Sequence, residues 1–210
     1  MKYPIDNRII EICFKAFKKH PTYGPADEAI NKLVRLVPSN DKLADVLLKV
    51  VAVNTLYATR IYSAFKMAEH IVKIDELDKL LAEGSVAAVD KIRTGHGIHR
   101  KTSRRDMDFY SFATKYCSFH NGSSYPLFDD VVGTMVKNLV PDRRDLRNYA
   151  TFKETIDQIR RDCSISFGNY KELDMGLWVY GGYVGRRKWQ SADRREQDFY
   201  AYVGSQLKEM

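Results

Sequence analysis

The chain has 210 residues, 44% apolar and 29% charged, the balance of a soluble globular protein with enough chain to bury a core. It has no apolar run of the ~20 residues that a bilayer crossing needs. Its start, Met-Lys-Tyr-Pro-Ile-Asp, lacks the apolar stretch and cleavage site of a secretory leader, so we expect a cytoplasmic protein with no membrane partner. Net charge is +7 and unevenly spread: residues 1–90 hold 13 Lys/Arg against 12 Asp/Glu, residues 91–210 hold 21 against 15. A basic second half favours a polyanionic partner, nucleic acid ahead of a membrane surface.

Helical periodicity dominates the chain and strand alternation is nearly absent. Residues 6–19 repeat apolar positions at Ile10, Cys13, Phe14 and Phe17. Pro25 suits the first turn of a second helix, with Ile30, Leu33, Val34 and Val37 on its stripe. Ser39-Asn40-Asp41 offers a cap for an apolar helix through Leu43, Val46, Leu47, Val50 and Val51, and the next stripe runs through Ile61, Phe65, Ala68 and Val72. A short helix over 75–83 stops at Gly84, and Ser85 caps another through Val86, Val89 and Ile92 that ends at Thr94-Gly95. Residues 95–105 are polar and irregular. The pattern resumes from Asp106 to His120, Asn121-Gly122 stops it, and Pro126 starts a helix through Val131, Met135 and Leu139. Further helices fit 149–162, 169–181 and 193–208. We therefore expect an all-α fold of about ten helices, one unit or two intimate lobes, divided as 25–140 and 1–24 plus 141–210.

Three cysteines, Cys13, Cys117 and Cys163, are an odd number without paired metal spacing. They read as reduced thiols with no disulfide partner, and three cannot supply the four ligands of an iron–sulfur cluster. His96 and His99 lack an accompanying carboxylate cluster, so no metal and no cofactor is expected. The segment from Lys91 to Arg105 carries six cations (Lys91, Arg93, Arg100, Lys101, Arg104, Arg105), two histidines and no acid. With Gly95 and Gly97 able to bring backbone N–H groups close, it suits phosphate binding. The segment Tyr180-Gly-Gly-Tyr-Val-Gly-Arg186-Arg187-Lys188-Trp189 mixes flexible backbone, aromatics and cations, a mixture that suits stacking on bases and gripping phosphates.

Lys115 lies on the predicted helix face opposite the apolar stripe, near Ser111 and Ser118. Asp129 follows beyond a short polar turn, in the first turn of the next helix, where the helix dipole stabilises a carboxylate; Asp130 competes for the same part. An amine and a carboxylate held across a short turn can attack a sugar carbon and stabilise its charge.

The stretch around Thr114-Lys115, Tyr125-Pro126 and Asp129 resembles the catalytic core of the helix-hairpin-helix superfamily of DNA glycosylases, especially the lysine-bearing 8-oxoguanine type. The resemblance is close over this stretch and covers the remainder as a helix pattern. It implies a two-lobe helical fold in which Lys115 attacks C1′ of the damaged nucleotide and Asp129 stabilises the positive charge on the sugar. In that family a glycine-rich hairpin immediately precedes the lysine; here Gly95 and Gly97 lie well upstream of Lys115, which implies a remodelled hairpin. The Lys91–Arg105 loop would then take over the phosphate grip. The target base must leave the stack, and Tyr110, Phe119, Trp178 and Tyr180 are the aromatic candidates to receive it. The lysine must be neutral to attack, and the resulting Schiff base permits strand cleavage by β-elimination.

The partner expected on this reading is DNA carrying a modified base, in duplex or single strand, bound by a monomer. Two other readings stand beside it. One is a DNA-binding module without catalysis on the same scaffold. The other is an RNA nuclease using His96, His99 or His120 as acid and base.

Overall fold

The computed structural model describes residues 4–99, 105, 107–140, 144–185 and 194–209. These residues form eleven α-helices and no strand, an all-α chain. The chain divides into two compact units, one of residues 1–25 with 129–210 and one of residues 26–128. The division after Phe128 differs from the expected one after residue 140. The helix over 130–139 packs against a helix of the terminal unit, so it belongs there.

In the terminal unit, α1 (Asn7–Lys19) is opened by Asp6, whose carboxylate accepts the Ile9 N–H at 2.8 Å. Its buried stripe is Ile9, Ile10, Cys13, Ala16 and Phe17, as the 3.6-residue period requires. The stripe lies on α10 (Tyr170–Val184), opened by a capping box between Asn169 and Glu172. Gly176 makes that approach possible: a Cβ there would sit 2.8 Å from Ile10 Cγ2 and 2.9 Å from the Ile10 carbonyl. α8 (Asp130–Leu139) packs on α10, α9 (Tyr149–Asp162) on α8, and α11 (Arg194–Lys208) on α1 and α10.

α2 (Tyr23–Leu36) starts at the end of the first segment of this unit and continues into the other. There follow α3 (Leu43–Leu56), α4 (Ala64–Val72), α5 (Leu77–Glu83), α6 (Val86–Arg93) and α7 (Tyr110–His120). α3 packs on α4, and α7 packs on α6, α3 and α5. Asn54 closes the α3–α4 turn, its amide donating to the Ile61 carbonyl at 2.8 Å and accepting the Ile61 N–H at 2.8 Å. Gly84 ends α5 at φ +70, a left-handed position; a Cβ there would also lie 2.6 Å from that of Ser124.

Four sequence expectations need correction. α7 starts at Tyr110, because the segment before it is tied down by bonds from Met107 N–H to Ile98 O and Phe109 N–H to Arg93 O. α8 starts at Asp130, and Pro126 lies in the irregular segment before it. A proline's fixed φ serves an extended segment as well as a first helical turn. Phe65 is 53% exposed, while Met67, Ala68 and Ile71 carry the buried face of α4. Asn40 is not the cap of α3, which is entered through Lys42; it is buried, with partners described below.

Candidate active site

In the unit of residues 26–128, nine of the eleven residues of α7 are buried, Lys115 among them. Lys115 is 4% exposed, not on a solvated face as the stripe suggests, because α7 is enclosed by its neighbours and has no outer side at this position. Its Nζ donates to Ser111 Oγ at 2.6 Å and to the Phe128 carbonyl at 3.4 Å. Ser111 stands one turn earlier on the same helix, the spacing at which helical side chains meet. Thr114 holds the same returning segment: its Oγ1 accepts the Phe128 N–H at 3.1 Å. The Thr114-Lys115 pair thus clasps the chain at Phe128, whose ring packs on Tyr110 with centroids 4.8 Å apart.

Asp129 falls in the other unit. Its backbone is extended, and Oδ1 accepts the Val132 N–H at 2.8 Å, which makes it the N-cap of α8. Asp130 is the first helical residue and is exposed. Between the two aspartates, Asp129 is the one whose carboxylate is fixed in place by the helix terminus.

The basic loop has a more structural interior than its charge suggests. His96 is buried; its Nε2 lies 2.9 Å from the Met107 carbonyl and 3.2 Å from that of Arg93, and Nδ1 accepts the Ile98 N–H at 3.1 Å. His96 therefore organises the loop and is not turned out to meet phosphate. Arg93 is likewise held inward, donating Nε and Nη2 to Asp108 at 2.8 and 2.5 Å, with its guanidinium 4.5 Å from the Tyr110 ring centroid. Charge counting along the segment does not reveal such a pair, because the acid that Arg93 bonds, Asp108, lies beyond it in sequence. Lys91, His99 and Arg105 are exposed, as phosphate contacts need to be. Arg100, Lys101, Arg104, Arg186, Arg187 and Lys188 lie outside the described residues.

The aromatic candidates divide between the units. Tyr110 and Phe119 are buried in one; Phe119 packs edge-on against Tyr57. Tyr180 is buried in the other, its hydroxyl donating to the Pro4 carbonyl at 2.6 Å. Trp178 is half-buried among Phe17 and Tyr23. Tyr110, Phe119 and Tyr180 are thus packing residues in this structure, since large rings are what a helical core takes up.

Sequence reading misses a buried polar cluster beside α7. Lys49 of α3 is 0% exposed and donates Nζ to Asn40 Oδ1 at 2.8 Å and to the Ser39 carbonyl at 2.7 Å. The same Asn40 oxygen accepts the Tyr116 hydroxyl at 2.5 Å, and Asn40 Nδ2 donates to Asp78 at 2.5 Å. His120 packs on Tyr116 with centroids 5.0 Å apart, and its Nε2 is buried with no hydrogen-bond partner. A lysine inside the apolar run Val46-Leu47-Leu48-Lys49-Val50-Val51 is the available signal. Burial pulls the Lys49 ammonium down to about 8, opposed by the charges of Asp78, Asp45 and Asp41. Burial, with the Lys49 charge adding, pulls His120 from 6.5 down to about 3.

The His120 shift predicts acid lability. Between pH 6.5 and 3 the unfolded chain binds this proton and the folded chain does not, so stability falls as pH falls through that window. At about 1.36 kcal/mol per pH unit the full loss is about 5 kcal/mol. Urea titrations from pH 7 to pH 4 should show a falling midpoint, and His120→Gln should flatten the slope. His96 and His120, two of the three histidines an RNA nuclease would draw on, are thus internal packing groups.

The folded chain is an all-α protein with a buried, hydroxyl-bound lysine on α7 and a helix-capping aspartate at the start of α8. By sequence it belongs to the HI_0787_N family, described as an N-terminal domain, which it matches over residues 8–125, more than half its length. It is also similar to a Haemophilus influenzae protein named "Uncharacterized protein", 35% identical over 135 residues. That alignment covers 61% of this chain and 62% of the relative, so the match spans less than two thirds of the relative's length. No solved structure matches the chain. The family match takes in Lys115 and the Lys49 cluster and stops before Asp129.

Proposed function

We propose that this protein is a DNA glycosylase of the helix-hairpin-helix type that excises a modified base, with Lys115 as nucleophile and Asp129 as the carboxylate that offsets charge on the sugar. The observation that carries the reading is the placement of Lys115. Its amine is drawn in from solvent onto the Ser111 hydroxyl and a backbone carbonyl, at the residue where the glycosylase motif requires a nucleophile. The fixed carboxylate of Asp129 and the exposed cations Lys91 and Arg105, with the exposed imidazole of His99, support it.

The chemistry follows in order. The target nucleotide leaves the base stack, at a cost of a few kcal/mol that is smallest for a damaged or mispaired base. Neutral Lys115 donates its electron pair to C1′, the N-glycosidic bond breaks, and the base departs with the bonding electrons and is protonated. Positive charge that builds on the sugar ring is offset by the carboxylate of Asp129. Loss of a proton from the lysine nitrogen and opening of the ring give a Schiff base. Abstraction of a C2′ proton then expels the 3′ phosphate by β-elimination, and water releases the lysine.

Duplexes carrying a panel of oxidised, alkylated and deaminated bases, incubated with the protein and followed by mass analysis, test the proposal. Release of one base with a cleaved or abasic strand is the expected result. Intact strands with every substrate, alongside retained salt-sensitive binding, would leave a DNA-binding module without catalysis.

A further inference from the structure

The start of α4 presents two large rings to solvent: Tyr62 is 63% and Phe65 53% exposed. A monomeric surface seldom carries two such rings close together in sequence without a use for them. They are not on a loose tail. The Tyr62 hydroxyl donates to the His99 carbonyl, and Lys66 Nζ reaches the Gly97 carbonyl at 3.3 Å. His70 Nε2 lies 2.7 Å from the Lys91 carbonyl, and a Cβ on Gly95 would lie 3.3 Å from the His70 ring. The first turns of α4, the end of α6 and the 95–99 loop are therefore tied into one surface within one unit.

That surface is rich in cations. Arg60 and Lys66 flank the two rings in sequence and are exposed, as are Lys91 and His99. Arg105, also exposed, stands two residues before Met107, which pairs with Ile98. Among the described residues the acids nearby are Glu69, half-buried, and Asp90 and Asp108, both exposed and both within ion-pair distance of Arg93. Exposed rings among cations are what a single-stranded polyanion with flat bases requires: each base has a face to stack, and each phosphate needs a positive charge. An apolar protein partner would gain nothing from the cations.

We propose that this face binds an unpaired stretch of DNA, its bases stacking on Tyr62 and Phe65 and its phosphates held by Arg60, Lys66, Lys91, His99 and Arg105. The inference rests on the DNA reading above and adds to it a strand-holding surface separate from the lysine chemistry. Fluorescence anisotropy of the full chain with a labelled oligothymidine of roughly 12 nucleotides tests it. Tyr62→Ala with Phe65→Ala should weaken binding by about tenfold or more, and Tyr62→Phe with Phe65→Trp should restore it. Lys66→Gln should lower the magnitude of the salt slope by about 0.7, as loss of one phosphate contact does on a single strand.

Equal binding by the alanine variant, or equal loss by the aromatic variant, overturns the proposal. So does sedimentation in which the alanine substitutions abolish self-association and leave strand binding intact. Base release measured on the same samples separates the two readings. Base release with unimpaired strand binding by the alanine variant removes the surface alone. Strand binding lost on alanine substitution, with no base released from any substrate, supports the surface and removes the enzyme.

Discussion

Replacing Asn40 with alanine is expected to destabilise the fold by about 3–5 kcal/mol. One side chain receives Lys49 and Tyr116 and donates to Asp78, so its loss deprives a fully buried ammonium, a buried phenol and a carboxylate of their common partner. Removing one member of such a group costs more than removing the charge itself. Lys49→Met should therefore cost clearly less than Asn40→Ala, because methionine fills the same space and leaves no ammonium behind. Urea denaturation of both variants at pH 7 checks the order. Equal losses would mean that the Asn40 bonds contribute nothing beyond packing.

The Lys49 ammonium adds a sign to this test. Unfolded, it titrates near 10.5; folded, near 8. Between those values the unfolded chain holds the extra proton, so stability rises with pH across that window and the burden of the buried charge is lifted at its top. The parent chain and Asn40→Ala should both gain stability between pH 8 and pH 10, and Lys49→Met should show no such gain.

The second large effect concerns catalysis. Lys115→Gln should lower the rate of base release by at least ~10³-fold, since the nucleophile itself is gone. Asp129→Asn should lower it by roughly 10²–10³-fold, the range seen when one charge-stabilising group is removed. The two variants differ in what remains. An asparagine at the cap of α8 retains an oxygen that can accept the Val132 N–H, so the thermal midpoint of Asp129→Asn should change little. If Asp129→Asn unfolds the protein as far as it slows the reaction, the carboxylate serves the α8 terminus and nothing more.

Much of the fold is legible from periodicity because most helices have one wet face. The stripes of α1 and α9 place their limits within a residue or so, and Gly84 marks the end of α5 through the left-handed backbone that a glycine tolerates. α7 is the exception. A helix buried on nearly all sides has no polar face to set against its apolar one, so Lys115 reads as solvated when it is enclosed. Phe65 misleads in the opposite sense: its apolar character places it in the stripe of α4, and local geometry turns it out. Charge is the least legible property. Six cations over Lys91–Arg105 look alike in the sequence, yet Arg93 is neutralised by Asp108 and stacked on Tyr110. His96 and Asn40 are visible as polar residues but not as hydrogen-bond centres, because their partners are set by tertiary packing.

The claim that Lys115 is a nucleophile is tested most directly by borohydride reduction during incubation with DNA carrying the preferred base, followed by peptide mapping of any protein–DNA adduct. The account predicts a stable covalent adduct whose sugar fragment maps to Lys115 and is absent from Lys115→Gln. An adduct on another amine, or base release with none trapped from an active preparation, would contradict it.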